Sequence, residues 1–74
     1  MQNKDITIRA TEHQNAHEAI QHLDVSGDDR AVMVGGKYLT LKQAEADRIE
    51  MAGIEFAYIV DHHGKIMTIP VNDR

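Results

Sequence analysis

The 74-residue chain contains no cysteine and no tryptophan, one proline, and only three aromatic residues, Tyr38, Phe56 and Tyr58. Without cysteine there can be no disulfide, thiolate zinc site or thiol nucleophile. With so few aromatics the core must be thin and built largely from Ala, Ile, Val and Met. A core of this size contributes no more than ~3–5 kcal/mol unless a metal or a partner chain adds to it. Long apolar runs are also missing, since Phe56–Val60 is far too short to span a bilayer. Met1-Gln2-Asn3-Lys4-Asp5 lacks the apolar stretch of a signal peptide, so a cytoplasmic protein without membrane contact is the default expectation. Basic residues are outnumbered eight to twelve by acidic ones, and the charges are interspersed. No basic stripe is available to neutralise phosphates, which disfavours nucleic acid as a partner.

What is present is enough for one domain and too little for two. Ile6 and Ile8 alternate with Asp5, Thr7 and Arg9, the period of a short half-buried strand. Ala16, Ala19, Ile20 and Leu23 fall on one face of a helix expected from Thr11, its N-cap, to about Leu23. Asp24 to Asp29 reads as a loop. Ala31 to Val34, the turn Gly35-Gly36, and Lys37 to Leu39 read as an antiparallel hairpin. Thr40 and Gln43 have capping-box spacing, and Gly53 stands where a helix end favours a residue without Cβ, so a second helix is expected from about Leu41 to Ala52. Ile54 to Val60, a turn at Asp61-His62-His63-Gly64, and Lys65 to Val71 form a second hairpin. Pro70 cannot donate to a ladder and places the end of that last strand on a sheet edge.

The two hairpins resemble each other. Ala31-x-x-Val34, Gly36 and Lys37-x-x-Thr40-Leu41 align with Ala57-x-x-Val60, Gly64 and Lys65-x-x-Thr68-Ile69. The alternatives are an internal duplication and ordinary turn chemistry used twice. Either way the expected fold class is α+β, two-layer, in the order βαββαββ, with a mostly antiparallel sheet and two helices packed on one face.

Few residues suggest chemistry. His13 and His17, four apart on the expected helix, could share a divalent metal, with His62 or His63 from the second turn as further candidates. His22 falls on the other flank of that helix's apolar stripe from His17. Asp24, Ser26 and Asp28 mimic the start of a calcium loop, but Asp29 stands where that loop needs Gly and Gly35 where it needs Glu. Gly35-Gly36-Lys37 and Gly64-Lys65 lack the spacing and the hydroxyl residue of a phosphate loop. Ser26 has no nucleophile-elbow context, and the adjacent Asp61 and His62 should point apart, so the chain is read as a non-enzyme with no cofactor and no catalytic residues.

Tyr38-Leu39-Thr40-Leu41-Lys42-Gln43-Ala44 resembles the start of the excisionase-type winged helix-turn-helix, and Gly64-Lys65-Ile66 lies about where that family has its wing. The resemblance is confined to the second half of the chain. It implies a small DNA-binding regulator with a recognition helix between Gly53 and His63. The residues there, among them Phe56, Tyr58, Ile59 and Val60, have strand character and include no Arg, Lys, Asn or Gln to reach base edges.

The leading expectation is a small protein-interaction module, a homodimer or an adaptor for another protein, that presents a sheet edge or helix face. Glu45 and Arg48 interrupt the apolar face of the second helix. They read either as an i,i+3 ion pair at the core boundary or as part of an interaction surface with Tyr38. Met33 and Met67 are further candidates for that surface, with core positions as the alternative. A winged-helix-like regulator and a His-based metal-binding protein are the alternatives to the module.

Overall fold

The computed structural model describes residues 6–24 and 26–71. Asp5 and Val25, which the first strand and the loop were expected to include, lie outside them. Seven elements follow one another: β1 (Ala10–His13), α1 (Ala16–Gln21), β2 (Asp29–Val34), β3 (Lys37–Lys42), α2 (Gln43–Met51), β4 (Phe56–His62) and β5 (Lys65–Val71). The class is α+β and the order is the expected βαββαββ. All five strands join one antiparallel sheet in the order β1-β3-β2-β4-β5. No helix among the described residues is long and apolar enough to cross a membrane.

Both hairpins close through two-residue turns in which both residues have positive φ: Gly35 and Gly36 at 56° and 81°, His63 and Gly64 at 54° and 78°. That twist matches the twist of the flanking strands. It also fixes the ladder, because the pair flanking such a turn exchanges both hydrogen bonds and every second pair after it does the same. Counting from Val34–Lys37, residues 29, 31 and 33 of β2 direct their backbone groups at β4. Counting from His62–Lys65, residues 66, 68 and 70 of β5 direct theirs away from the sheet. Pro70 therefore occupies a position whose missing N–H no neighbouring strand needs, on an edge strand as expected.

The helices divide between the two faces of the sheet instead of sharing one. Ala46 and Ile49 of α2 pack with Val32, Leu41 and Phe56, supported by Val34, Leu39 and Tyr58. Ala19 of α1 packs with Ala31 and Ile59, supported by Met33 and Tyr38. The two sets have opposite parity along β2, β3 and β4, and successive strand residues point to opposite faces. The centre of the sheet is thus covered on both sides, a three-layer arrangement where two layers were expected. Sequence pattern missed this because β2 supplies apolar residues to both sides.

Local boundaries also differ from expectation, that of the second hairpin among them: β4 runs Phe56–His62, so Asp61 and His62 belong to the strand and the turn is His63-Gly64. Ile6 and Ile8 are half-buried against the α2-side core but precede the first strand, which starts at Ala10. Thr11 lies within β1 and is not the cap of α1. That cap is Asn15, whose Oδ1 accepts from Glu18 N–H at 2.9 Å while Glu18 Oε1 accepts from Gln14 N–H at 3.2 Å. Thr40 and Leu41 belong to β3, so Thr40 does not cap α2, whose N-cap Lys42 makes no side-chain capping bond. The far end of α2 is as expected. Gly53, at φ 78°, donates to Glu50 O, and Ile54 N–H reaches back to Ile49 O, the paired bonds of a Schellman motif.

Candidate functional site

The outer edge of β5 is the first feature that could act on something else. β5 runs seven residues beside β4, exposed throughout except for the half-buried Val71. Ile66, Met67 and Ile69 are 39%, 46% and 50% exposed. Met67 and Ile69 stand opposite Val60 and Tyr58 on the α2 side of the sheet, outside the buried cluster that α2 forms with Val32, Leu41 and Phe56. The hairpin is joined to the rest of the sheet by three β2–β4 pairs, Ala31–Ile59, Val32–Tyr58 and Met33–Ala57, against seven within the hairpin. The next hydrogen-bonded pair in this register would be Asp29–Asp61. Instead the Asp29 carbonyl, aimed at β4, accepts from Arg30 Nη1 at 2.9 Å, so a side chain takes the place of the strand. A cleft of about 590 Å³ opens at this parting, lined by Ile20, Leu23, Ala31, Ile59 and Ile69, with Arg30 and Asp61 among its polar residues.

The second feature is a pair of imidazoles. His13 lies on β1, not on α1, so it does not share a helix face with His17. It meets His22 instead, the C-cap of α1, with ring centroids 4.4 Å apart and planes inclined by 37°. His13 Nε2 is 2.9 Å from Thr40 Oγ1, and that hydroxyl donates to the Ala19 carbonyl, also at 2.9 Å. His22 Nδ1 lies 3.0 Å from its own helix's Glu18 carbonyl. His62 and His63 touch each other at the exposed tip of the β4–β5 hairpin, centroids 4.3 Å apart. They sit at the opposite edge of the sheet from β1, so the expected third ligand does not come from there. Among the described residues no three metal-ligating side chains cluster.

The acidic loop before β2 is organised by Lys42. Its Nζ lies 2.9 Å from Asp29 and 3.6 Å from Asp28. Asp24 accepts from both the N–H and the hydroxyl of Ser26, an Asx turn that occupies the chain's one serine. Those two bonds hold the Asp24 carboxyl below its ordinary range. The Lys42 ammonium, then the Asp24 N–H, do the same for Asp29, and Asp29 in return raises Lys42.

The expected interaction residues do not form one patch. Glu45 and Arg48 make the i,i+3 pair at 3.7 Å, and Glu45 Oε1 also accepts from Arg9 N–H at 3.4 Å. Tyr38 is half-buried on the opposite face of the sheet with Met33, under α1. Of the surface candidates only Met67 is both apolar and open. Where the excisionase-type family would need its recognition helix, this chain has β4. Comparison with family models, with curated proteins and with solved structures finds no match to the chain.

Proposed function

We propose that this chain is a non-enzymatic protein-interaction module that associates by strand addition at β5, in the simplest case with a second copy of itself. The observation that carries this reading is the outer edge of β5, long, apolar and unpaired among the described residues. Such an edge is a template for another strand, and native chains ordinarily blunt, cover or use it. Pro70 withholds a donor only at one end, leaving Ile66 and Thr68 with outward N–H groups. A two-fold antiparallel pairing of β5 with its copy would keep Met67 and Ile69 of both chains on one face, extending the α2 side of the sheet. Two-fold dimers are the commonest closed solution for soluble chains, and a small core gains from the added burial.

Sedimentation equilibrium of the full chain at tens of micromolar tests the reading, together with two proline variants. Thr68→Pro removes an outward N–H that β4 does not use and should abolish association while preserving a cooperative melt. Met67→Pro removes a donor to β4 and should unfold the hairpin itself. A wild-type chain that stays strictly monomeric sinks the homodimer, and association unchanged in a folded Thr68→Pro sinks the β5 edge as its site.

A further inference from the structure

The geometry points to a divalent transition-metal site at the His13–His22 pair, on the corner where α1 meets β1 and β3. The tautomers follow from the hydrogen bonds. Thr40 has one hydroxyl proton and gives it to the Ala19 carbonyl, so toward His13 it can only accept. His13 must then carry its proton on Nε2, leaving Nδ1 with a bare lone pair in the neutral ring. The Glu18 carbonyl can likewise only accept, which places the His22 proton on Nδ1 and leaves Nε2 bare.

Each ring is therefore held through one nitrogen by a protein oxygen while the other is free. This is the arrangement by which metal-binding histidines are fixed in tautomer and orientation. With Zn–N bonds of about 2.0–2.1 Å, two ligating nitrogens lie roughly 3.3 Å apart in a tetrahedral shell. With centroids 4.4 Å apart, the two rings are close enough for small side-chain rotations to bring their bare nitrogens onto one ion. Imidazole favours zinc, nickel and copper over calcium and magnesium. Water completes the shell, because no third protein ligand is at hand among the described residues and His22 opens onto a polar cleft of about 370 Å³. Lys42 and Arg9 line the same cleft, and Lys42 is already neutralised by Asp28 and Asp29.

Titrating the full chain with nickel or zinc ions alone, followed through its histidine ring resonances, tests the site. His13 and His22 should respond together, saturating at one ion per chain, before His17, His62 and His63. His22→Gln, at an exposed position, should weaken affinity at least tenfold, and the double variant His62→Gln/His63→Gln should leave it unchanged. Thr40→Val, which frees the His13 ring, should weaken it by about 10–100-fold, with Thr40→Ser restoring it. Unaltered affinity in His22→Gln, first saturation at the hairpin tip, or no saturable binding at millimolar ion would each overturn the site. None of these readouts depends on whether β5 pairs with a second chain.

Discussion

When the two hairpins are superposed turn on turn, Lys37 falls on Lys65, Thr40 on Thr68 and Leu41 on Ile69. Leu41 is 3% exposed and Ile69 50%. Thr40 bridges His13 to the α1 backbone, whereas Thr68 lies exposed on an edge strand. Two stretches with the same local signals have thus been put to opposite uses. The difference is in their neighbours: β3 lies between β1 and β2 with a helix on each face, and among the described residues β5 pairs with β4 alone. The likeness also fails before the turns. Structural register sets Ala31 against Ile59 and Val34 against His62, two residues away from the sequence alignment with Ala57 and Val60. Shared turn chemistry accounts for the similarity without a duplication.

The largest test of the contrast is a matched pair of truncations. Leu41→Ala should cost about 2–5 kcal/mol, and Ile69→Ala less than about 1 kcal/mol, both read by urea unfolding at concentrations that keep the chain monomeric. Equal losses would show that β5 is buried in solution. Next in size is the threonine pair. Thr40→Val strips the acceptor from His13 and the donor from Ala19 O, and should cost about 1–3 kcal/mol. Thr68→Val should stay within about 0.5 kcal/mol of wild type, and a larger loss would reveal a partner for its hydroxyl.

The four strands of the two hairpins and their turns were legible because β-branched runs bounded by Gly need no tertiary information, whereas the first strand, expected around Ile6 and Ile8, lies at Ala10–His13. So was the end of α2, since Gly53 is a local requirement. The start of α1 was legible too: Asn15 and Glu18 have capping-box spacing, and reading Thr11 as the cap overlooked it. That misplacement moved His13 into a helix and hid its partner. His13 meets His22 only because Ala10–His13 pairs with Tyr38–Leu41, a contact nearly thirty residues distant in sequence that no spacing rule encodes. Which face each helix covers was equally out of reach, since Ala31, Val32, Met33 and Val34 are apolar without interruption.

The turns sharpen the comparison further. Gly36→Ala, at φ 81°, should cost about 1–2 kcal/mol. His63→Asn, at φ 54°, should gain about 0.5 kcal/mol, because Asn tolerates that conformation and Asn-Gly is the preferred pair for this turn. Thermal melts of the two variants should move in opposite directions. Smallest is a pH effect confined to the inner hairpin, where Lys42 of β3 holds Asp29 of β2. The folded carboxyl is depressed, so its contribution is complete above the ordinary carboxylate range and is lost as pH falls through the folded value. Lys42 is raised, so its share is complete below the ordinary lysine range and is lost as pH rises through the folded value. Asp29→Asn should flatten the acid limb of stability against pH, and an unaltered limb would assign it elsewhere.

Pro70 also has a meaning for what the chain avoids becoming. Ile66-Met67-Thr68-Ile69 combines strand propensity with no charge, the composition of a segment that stacks into cross-β fibrils when many copies meet. Lys65 stands at one end of it and Pro70 at the other, a charge and a missing donor bracketing the run, as gatekeeper residues do. A pairing that stops at two chains and one that propagates without limit thus start from the same exposed edge, and one pyrrolidine ring helps to separate them. Pro70→Thr would restore the outward N–H without disturbing β4, and its mark should be a shortened lag in thioflavin-monitored aggregation, with equal lag times showing that the ring has no such role.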